Sequence, residues 1–222
     1  MFNKLKKLIE EAKKRAVNSI EPEVFNHPLA QKTDWHPLKA GGTNFGTHRL
    51  DNSDPDLLFF KATKGAYVFS SIFSGVGVLG LVIPILAFIG MENKEWGLLM
   101  FGIFFGGIFL TAGLLLFKFM TKPCVFDTFY GCFYKGKKRP QDHFGMDPNA
   151  KNSIIKLSEV KAIQVIRERI NSKNGSYYSY EINLVLADAS RINVIDHGNH
   201  AAIIEDAETL ATTLGVPLWD GS

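Results

Sequence analysis

Two long apolar runs organise the chain, Ala66 to Met91 and Trp96 to Met120, separated only by Glu92, Asn93, Lys94 and Glu95. Neither run carries a charged residue before Lys118. Each exceeds the roughly 20 residues that an α-helix needs to cross about 30 Å of hydrocarbon. The pattern predicts a transmembrane hairpin. Four connecting residues cannot form a folded domain, so everything before Ala66 and after Met120 is expected on one side of the membrane.

Outside these runs the periodicity changes twice. From Met1 to Ile20, apolar Phe2, Leu5, Leu8, Ile9, Ala12, Ala16 and Ile20 recur at spacings of three and four among lysines, the signature of an amphipathic helix. Two placements suit it: the cytoplasmic headgroup layer, or the surface of the C-terminal domain. Residues 21–65 are punctuated by Pro22, Pro28, Pro37, Pro55 and Gly41-Gly42 and read as an extended arm, with short strands at 44–50 and 57–62. After Pro123 the period becomes two. Strands are predicted at 124–127, 132–135, 153–157, 160–170, 176–187 and 191–196, with turns at Thr128 to Gly131, Asn171 to Gly175 and Asp188-Ala189. A helix closes the chain, capped by Asn199, striped by Ile203, Ala207, Leu210 and Leu214, and stopped by Gly215 and Pro217. The predicted fold class is therefore α+β: a two-helix transmembrane hairpin plus a mainly antiparallel β domain over 123–219, closed by a C-terminal helix.

Small residues within the spans point to packing. Ser71 and Gly75 in the first, and Gly102 and Gly106 in the second, form small-xxx-small pairs that let backbones approach closely. Either the two spans pack on each other, or these faces meet a partner's helices or another copy. Neither span has an interior acid, base or histidine, so proton relay and ion coupling lack their usual residues.

Charge position sets orientation. Eleven Lys and Arg precede the first span, the connecting loop has only Lys94 beside two glutamates, and Lys118, Lys122, Lys135, Lys137, Lys138 and Arg139 follow the second. The positive-inside rule places both termini in the cytoplasm. No continuous apolar stretch near Met1 resembles a cleaved signal. The formal charge of +3 is too small to indicate nucleic acid. The two cysteines, Cys124 and Cys132, fall on the predicted cytoplasmic side and could face each other across a hairpin; buried thiols are the main expectation, redox or metal use the alternative.

Three groups of residues carry candidate chemistry. Lys4, Lys7, Lys14 and Arg15, with Lys135, Lys137, Lys138 and Arg139, are placed to touch anionic headgroups. Tyr177, Tyr178 and Tyr180 alternate along a strand, and their exposed members suit a protein contact. His197 and His200 beside Asp196, Glu205 and Asp206 offer imidazole and carboxylate to a metal, but straddle a strand-to-helix junction where polar residues serve as caps.

Val125-Phe126-Asp127 with its turn to Gly131, then Ser158 to Ile163 leading into a strand, then the hairpin and final helix, resemble the pleckstrin-homology-like domains of bacterial membrane proteins. The likeness covers about Pro123 to Trp219 and is one of element order. It implies a β-barrel-like scaffold that binds proteins, lipids or itself, and it carries no catalytic residue over. The first hairpin turn is Thr128, Phe129, Tyr130 where phosphoinositide binders are basic. The expectation is a non-enzymatic, multi-pass protein of the bacterial inner membrane, without cofactor. It would act as a scaffold or accessory subunit of a membrane complex, partnered by another membrane protein or itself. The alternatives are a lipid-binding or membrane-remodelling factor and, more remotely, a metal-dependent hydrolase using His197 and His200.

Overall fold

A computed structural model of the chain describes residues 20–38, 41–137, 154–172 and 175–222. The helix expected over residues 1–20 lies outside them apart from Ile20, as does most of the loop over 136–152. The chain divides into two units, Lys61–Lys122 and a second formed jointly by Met1–Phe60 and Pro123–Ser222. By this division the chain up to Phe60 groups with the chain from Pro123 onward, and the apolar hairpin is inserted between them in sequence.

The second unit contains most of the regular elements. A short helix α1 (Pro28–Lys32) precedes β1 (His48–Asp54) and β2 (Leu57–Ala62). After the inserted segment come β3 (Cys124–Asp127), β4 (Cys132–Lys135) and β5 (Ile154–Lys156). These five form one sheet in the order β1-β2-β3-β4-β5. The pairing of β2 with β3 is antiparallel and runs from Leu57↔Asp127 to Phe60↔Cys124, across the whole insertion.

Long strands β6 (Val160–Ser172), β7 (Gly175–Leu186) and β8 (Arg191–His197) make an antiparallel meander. Its turns use backbone that few residues tolerate: Gly175 has φ 131° and Ala189 has φ 65°. The meander gains a fourth strand, β9 (Leu218–Gly221), which lies parallel to β6 and was not legible as a strand.

Phe60, Phe126 and Phe133 from the first sheet meet Ile163, Val165, Ile182, Leu184 and Ile195 from the second around a shared core. Each such side chain contributes about 1.5–3 kcal/mol when fully buried. The C-terminal helix, α4 (His200–Leu214), adds Ile203, Ala207 and Leu210 to the same core. Asn199 caps it by accepting from Ala202 N at 3.2 Å, and Gly215 ends it in the left-handed region at φ 64°.

The inserted unit consists of α2 (Lys64–Gly90) and α3 (Trp96–Met120), both long and apolar enough to cross a membrane. Thr63 caps α2, and Lys94 Nζ donates to the Phe88 and Ile89 carbonyls at 2.9 and 3.1 Å, closing its C-terminal end. The helices are antiparallel along a seam of small residues. A Cβ on Gly77 would collide with the Leu110 backbone, one on Gly106 with the backbone of Gly80 and Leu81, and one on Gly113 with Ser74. Gly102 likewise has no room beside Pro84. Gly102 and Gly106 lie in this seam, whereas Ser71 and Gly75 face outward, and a Cβ on Gly75 would meet nothing within 4 Å. The reason is rotational: Ser70, Ser74 and Gly77 hold the α3 side, so positions one residue on turn away.

Substituting the two glycine classes separates them. Gly106→Leu should lower the stability of the helix pair by about 1–3 kcal/mol through overpacking. Gly75→Leu should stay within about 0.5 kcal/mol. Thermal denaturation of the detergent-solubilised protein reads both, and equal shifts would contradict the seam.

Candidate functional site

The outer face of the second sheet is polar. Gln164, Ile166 and Glu168 on β6 register with Asn183, Glu181 and Ser179 on β7, placing all six on one face, opposite the core. Glu181 and Asn183 are buried there at 2% and 0% exposure, which is costly for polar groups without partners. The chain's own N-terminal arm bonds Glu181, and Glu181 bonds Asn183. Leu38 N donates to Glu181 Oε1 at 2.8 Å, and Asn183 Nδ2 donates to the same oxygen at 2.7 Å. Gly41 N donates to Glu168 Oε2 at 3.0 Å, and Tyr177 OH donates to the Gly42 carbonyl at 3.0 Å. Further along, Thr47 Oγ1 donates to the Asp196 carbonyl at 3.1 Å.

An apolar cluster anchors the start of this arm. Trp35 is buried, stacks on Phe25 with ring centroids 4.9 Å apart, and donates its indole N–H to the Ala30 carbonyl at 2.9 Å. Trp219 of β9, 2% exposed, lies 6.3 Å from the Trp35 ring. Ala162, Val185 and Ile20 complete the cluster. Beside it Arg191, whose side chain is 4% exposed, donates from Nη2 to Asp34 Oδ2 at 3.1 Å and from Nη1 to Gln164 Oε1 at 3.2 Å. Burial pushes the Asp34 carboxyl up, but hydrogen bonds from His36 and the charges of Arg191 and His36 outweigh it and hold the group below the usual carboxylate range.

A second polar locus lies where β1, the end of β8 and α4 meet. His197 is fully buried, and its Nδ1 accepts from Asn199 N at 3.2 Å, which assigns the ring proton to Nε2. Nε2 has no hydrogen-bond partner among the described residues. Desolvation, with a smaller contribution from His48, lowers its pKa to about 4. Asp206 on α4 shows the opposite shift. Desolvation raises its pKa to about 6, against a hydrogen bond from the Leu50 backbone and with a further rise from Glu205.

The residues singled out in the sequence separate in the structure. His200 Nε2 lies 2.7 Å from Ser222 Oγ and its ring packs on Tyr180 at 4.6 Å, whereas His197 is fully buried. Among the described residues no three His, Cys, Asp or Glu side chains gather as a metal site. Tyr177 is engaged by the arm, Tyr178 is 43% exposed with Arg167 over its ring at 5.0 Å, and Tyr180 borders the core. Lys135 Nζ donates to the Val194 carbonyl at 2.9 Å, and Lys137 is exposed. Lys4, Lys7, Lys14, Arg15, Lys138 and Arg139 lie outside the described residues. Cys124 pairs with Lys135 and Cys132 with Asp127 across the hairpin, which puts the two thiols on opposite faces and rules out the facing arrangement. Asp34, Gln164, Glu181 and Arg191 were not singled out by sequence reasoning. The one available signal was Glu181 and Asn183 alternating with the apolar Ile182 and Leu184.

No protein-family model, no curated protein and no solved structure matches this chain.

The two buried ionisable groups oppose one another as pH changes. His197 stabilises the fold fully above its unfolded pKa of about 6.5, and that contribution is lost as pH falls towards 4. Asp206 destabilises the fold above pH 6, and that penalty disappears as pH falls below its unfolded value of 3.8. Asp206→Asn should therefore raise stability at pH 7.5 by about 1–3 kcal/mol, with a gain that shrinks to nothing near pH 4. Denaturant midpoints of both proteins across this range provide the check. A pH-independent difference would contradict the assignment.

Proposed function

We propose that this chain is a multi-pass protein of the bacterial inner membrane, with both termini in the cytoplasm. Its pleckstrin-homology-like domain works by binding, as a scaffold or accessory subunit of a membrane complex. One observation carries this reading: a pair of helices apolar on all sides is inserted between β2 and β3, which are hydrogen-bonded neighbours in one sheet. Helices of this kind belong in lipid or in a large core. Only 11% and 17% of their most apolar windows are buried within the protein, which favours lipid.

Insertion ties the domain to its anchor by two chain segments. A domain confined to the membrane surface meets its neighbours at raised effective concentration. The predominance of Lys and Arg on the segments flanking the spans orients both towards the cytoplasm. The pleckstrin-homology-like reading is supported by two sheets, mainly antiparallel, that share a core with a C-terminal helix. Insertion after the second strand and the parallel β9 are features of this chain beyond the resemblance. The polar face of the second sheet grips main-chain N–H and C=O groups, which is the chemistry of recognition.

Purification of the natively expressed, tagged protein in mild detergent, with sizing and mass spectrometry of what accompanies it, tests the proposal. A stoichiometric membrane protein or a defined self-oligomer is expected. A monomer carrying only lipid would overturn the scaffold reading in favour of lipid handling.

A further inference from the structure

We propose that the outer face of the second sheet is a docking groove for an irregular, glycine-containing peptide segment of a basic partner. The chain's own residues 36–38 and 41–47 occupy it as a built-in ligand. The inference rests on the binding-module reading and names the surface that binds.

Recognition across this face is directed at main chain. Glu181 and Glu168 accept from the Leu38 and Gly41 amides, Tyr177 donates to the Gly42 carbonyl, and Gln164 Nε2 donates to the Asp34 carbonyl at 3.2 Å. Any segment that follows the same bent path presents the same donors and acceptors to these side chains. Selectivity comes from shape and charge. A Cβ on Gly42 would collide with Ser179, so only glycine fits that notch, and the Asn44 backbone sits where a side chain at position 198 would be. Two carboxylates facing the segment favour a basic ligand.

The occupying segment is also an incomplete ligand. Ser179 Oγ and Asn183 Oδ1 are buried beneath it without a hydrogen-bond partner among the described residues. A competing segment that supplies donors to these atoms gains bonds that the resident one leaves unmade. Release does not dismantle the core. Phe25, Trp35 and Trp219 hold the preceding stretch, whereas Gly41 and Asn44 are exposed and the contacts from Leu38 to Thr47 are mainly polar.

Hydrogen exchange on the full-length protein in detergent tests this with Gly42→Ala. Amides at 41–47 should exchange at least about tenfold faster, with the β6 and β7 core amides unchanged. Adding Ser179→Gly should restore protection by reopening the notch. A fluorescent synthetic peptide of sequence 36–47 should bind the Gly42→Ala protein saturably, and the unmodified protein at least about tenfold more weakly because its groove is filled. Unchanged protection, loss of protection throughout both sheets, or equal peptide binding to the two proteins would each overturn the proposal. None of these measurements requires a partner. Their failure removes the groove and leaves the binding reading to the co-purification result.

Discussion

The pairing of β2 with β3 is the constraint on which the sheet-bearing unit depends. It must form across the entire inserted segment, and the register from Leu57↔Asp127 to Phe60↔Cys124 brings Phe60 and Phe126 into the core together. The entropy of closing a loop grows only slowly with its length, so a long insertion is tolerable. A folded insertion makes closure easier still. Because α2 and α3 are antiparallel, the chain leaves the helix pair near where it entered, with Tyr67 and Phe117 ring centroids 6.4 Å apart. That close return depends on glycines at Gly77, Gly106 and Gly113, where any side chain would force the helix backbones apart.

The second sheet uses its two faces differently. One face contributes Ile163, Val165, Ile182 and Leu184 to the shared core, where burial of apolar area dominates. The other presents Gln164, Glu168, Glu181 and Asn183, which require hydrogen-bond partners once water is excluded. The arm supplies backbone groups to Gln164, Glu168 and Glu181, and Glu181 in turn accepts from Asn183. The Arg191–Asp34 contact contributes little as a pair, since Asp34 is 60% exposed, but it provides Arg191 with the counter-charge that a buried guanidinium needs. The tryptophan cluster adds the non-directional part of the attachment, and it does so where β9 completes the sheet.

His197 and Asp206 show how burial alone can set ionisation. Neither shift has an ion-pair partner as its main cause; desolvation leads in both, favouring neutral imidazole and neutral carboxyl. Their effects on stability have opposite signs over the same acidic range. The pair therefore flattens the pH response of the domain without any direct bond between them.

Local pattern determined much of this molecule. Apolar runs of fixed length define α2 and α3, alternation of β-branched and aromatic residues defines β6 to β8, and Asn199 with Gly215 delimits α4. These features are legible because helix period, strand period and cap chemistry are set by neighbours within a few residues. The tertiary structure decided what those neighbours cannot encode. That β1 and β2 belong to the domain beyond the hairpin, that Cys124 and Cys132 face apart, that Ser71 and Gly75 turn outward, and that Leu218–Gly221 pairs with β6 all follow from register between distant segments. The polar face is the clearest case. Glu181 and Asn183 look misplaced beside Ile182 and Leu184 until the arm, some 140 residues earlier in the chain, supplies the backbone N–H that Glu181 accepts. Such long-range satisfaction of buried polar groups leaves no periodic trace, because it depends on which surfaces the folded chain brings together.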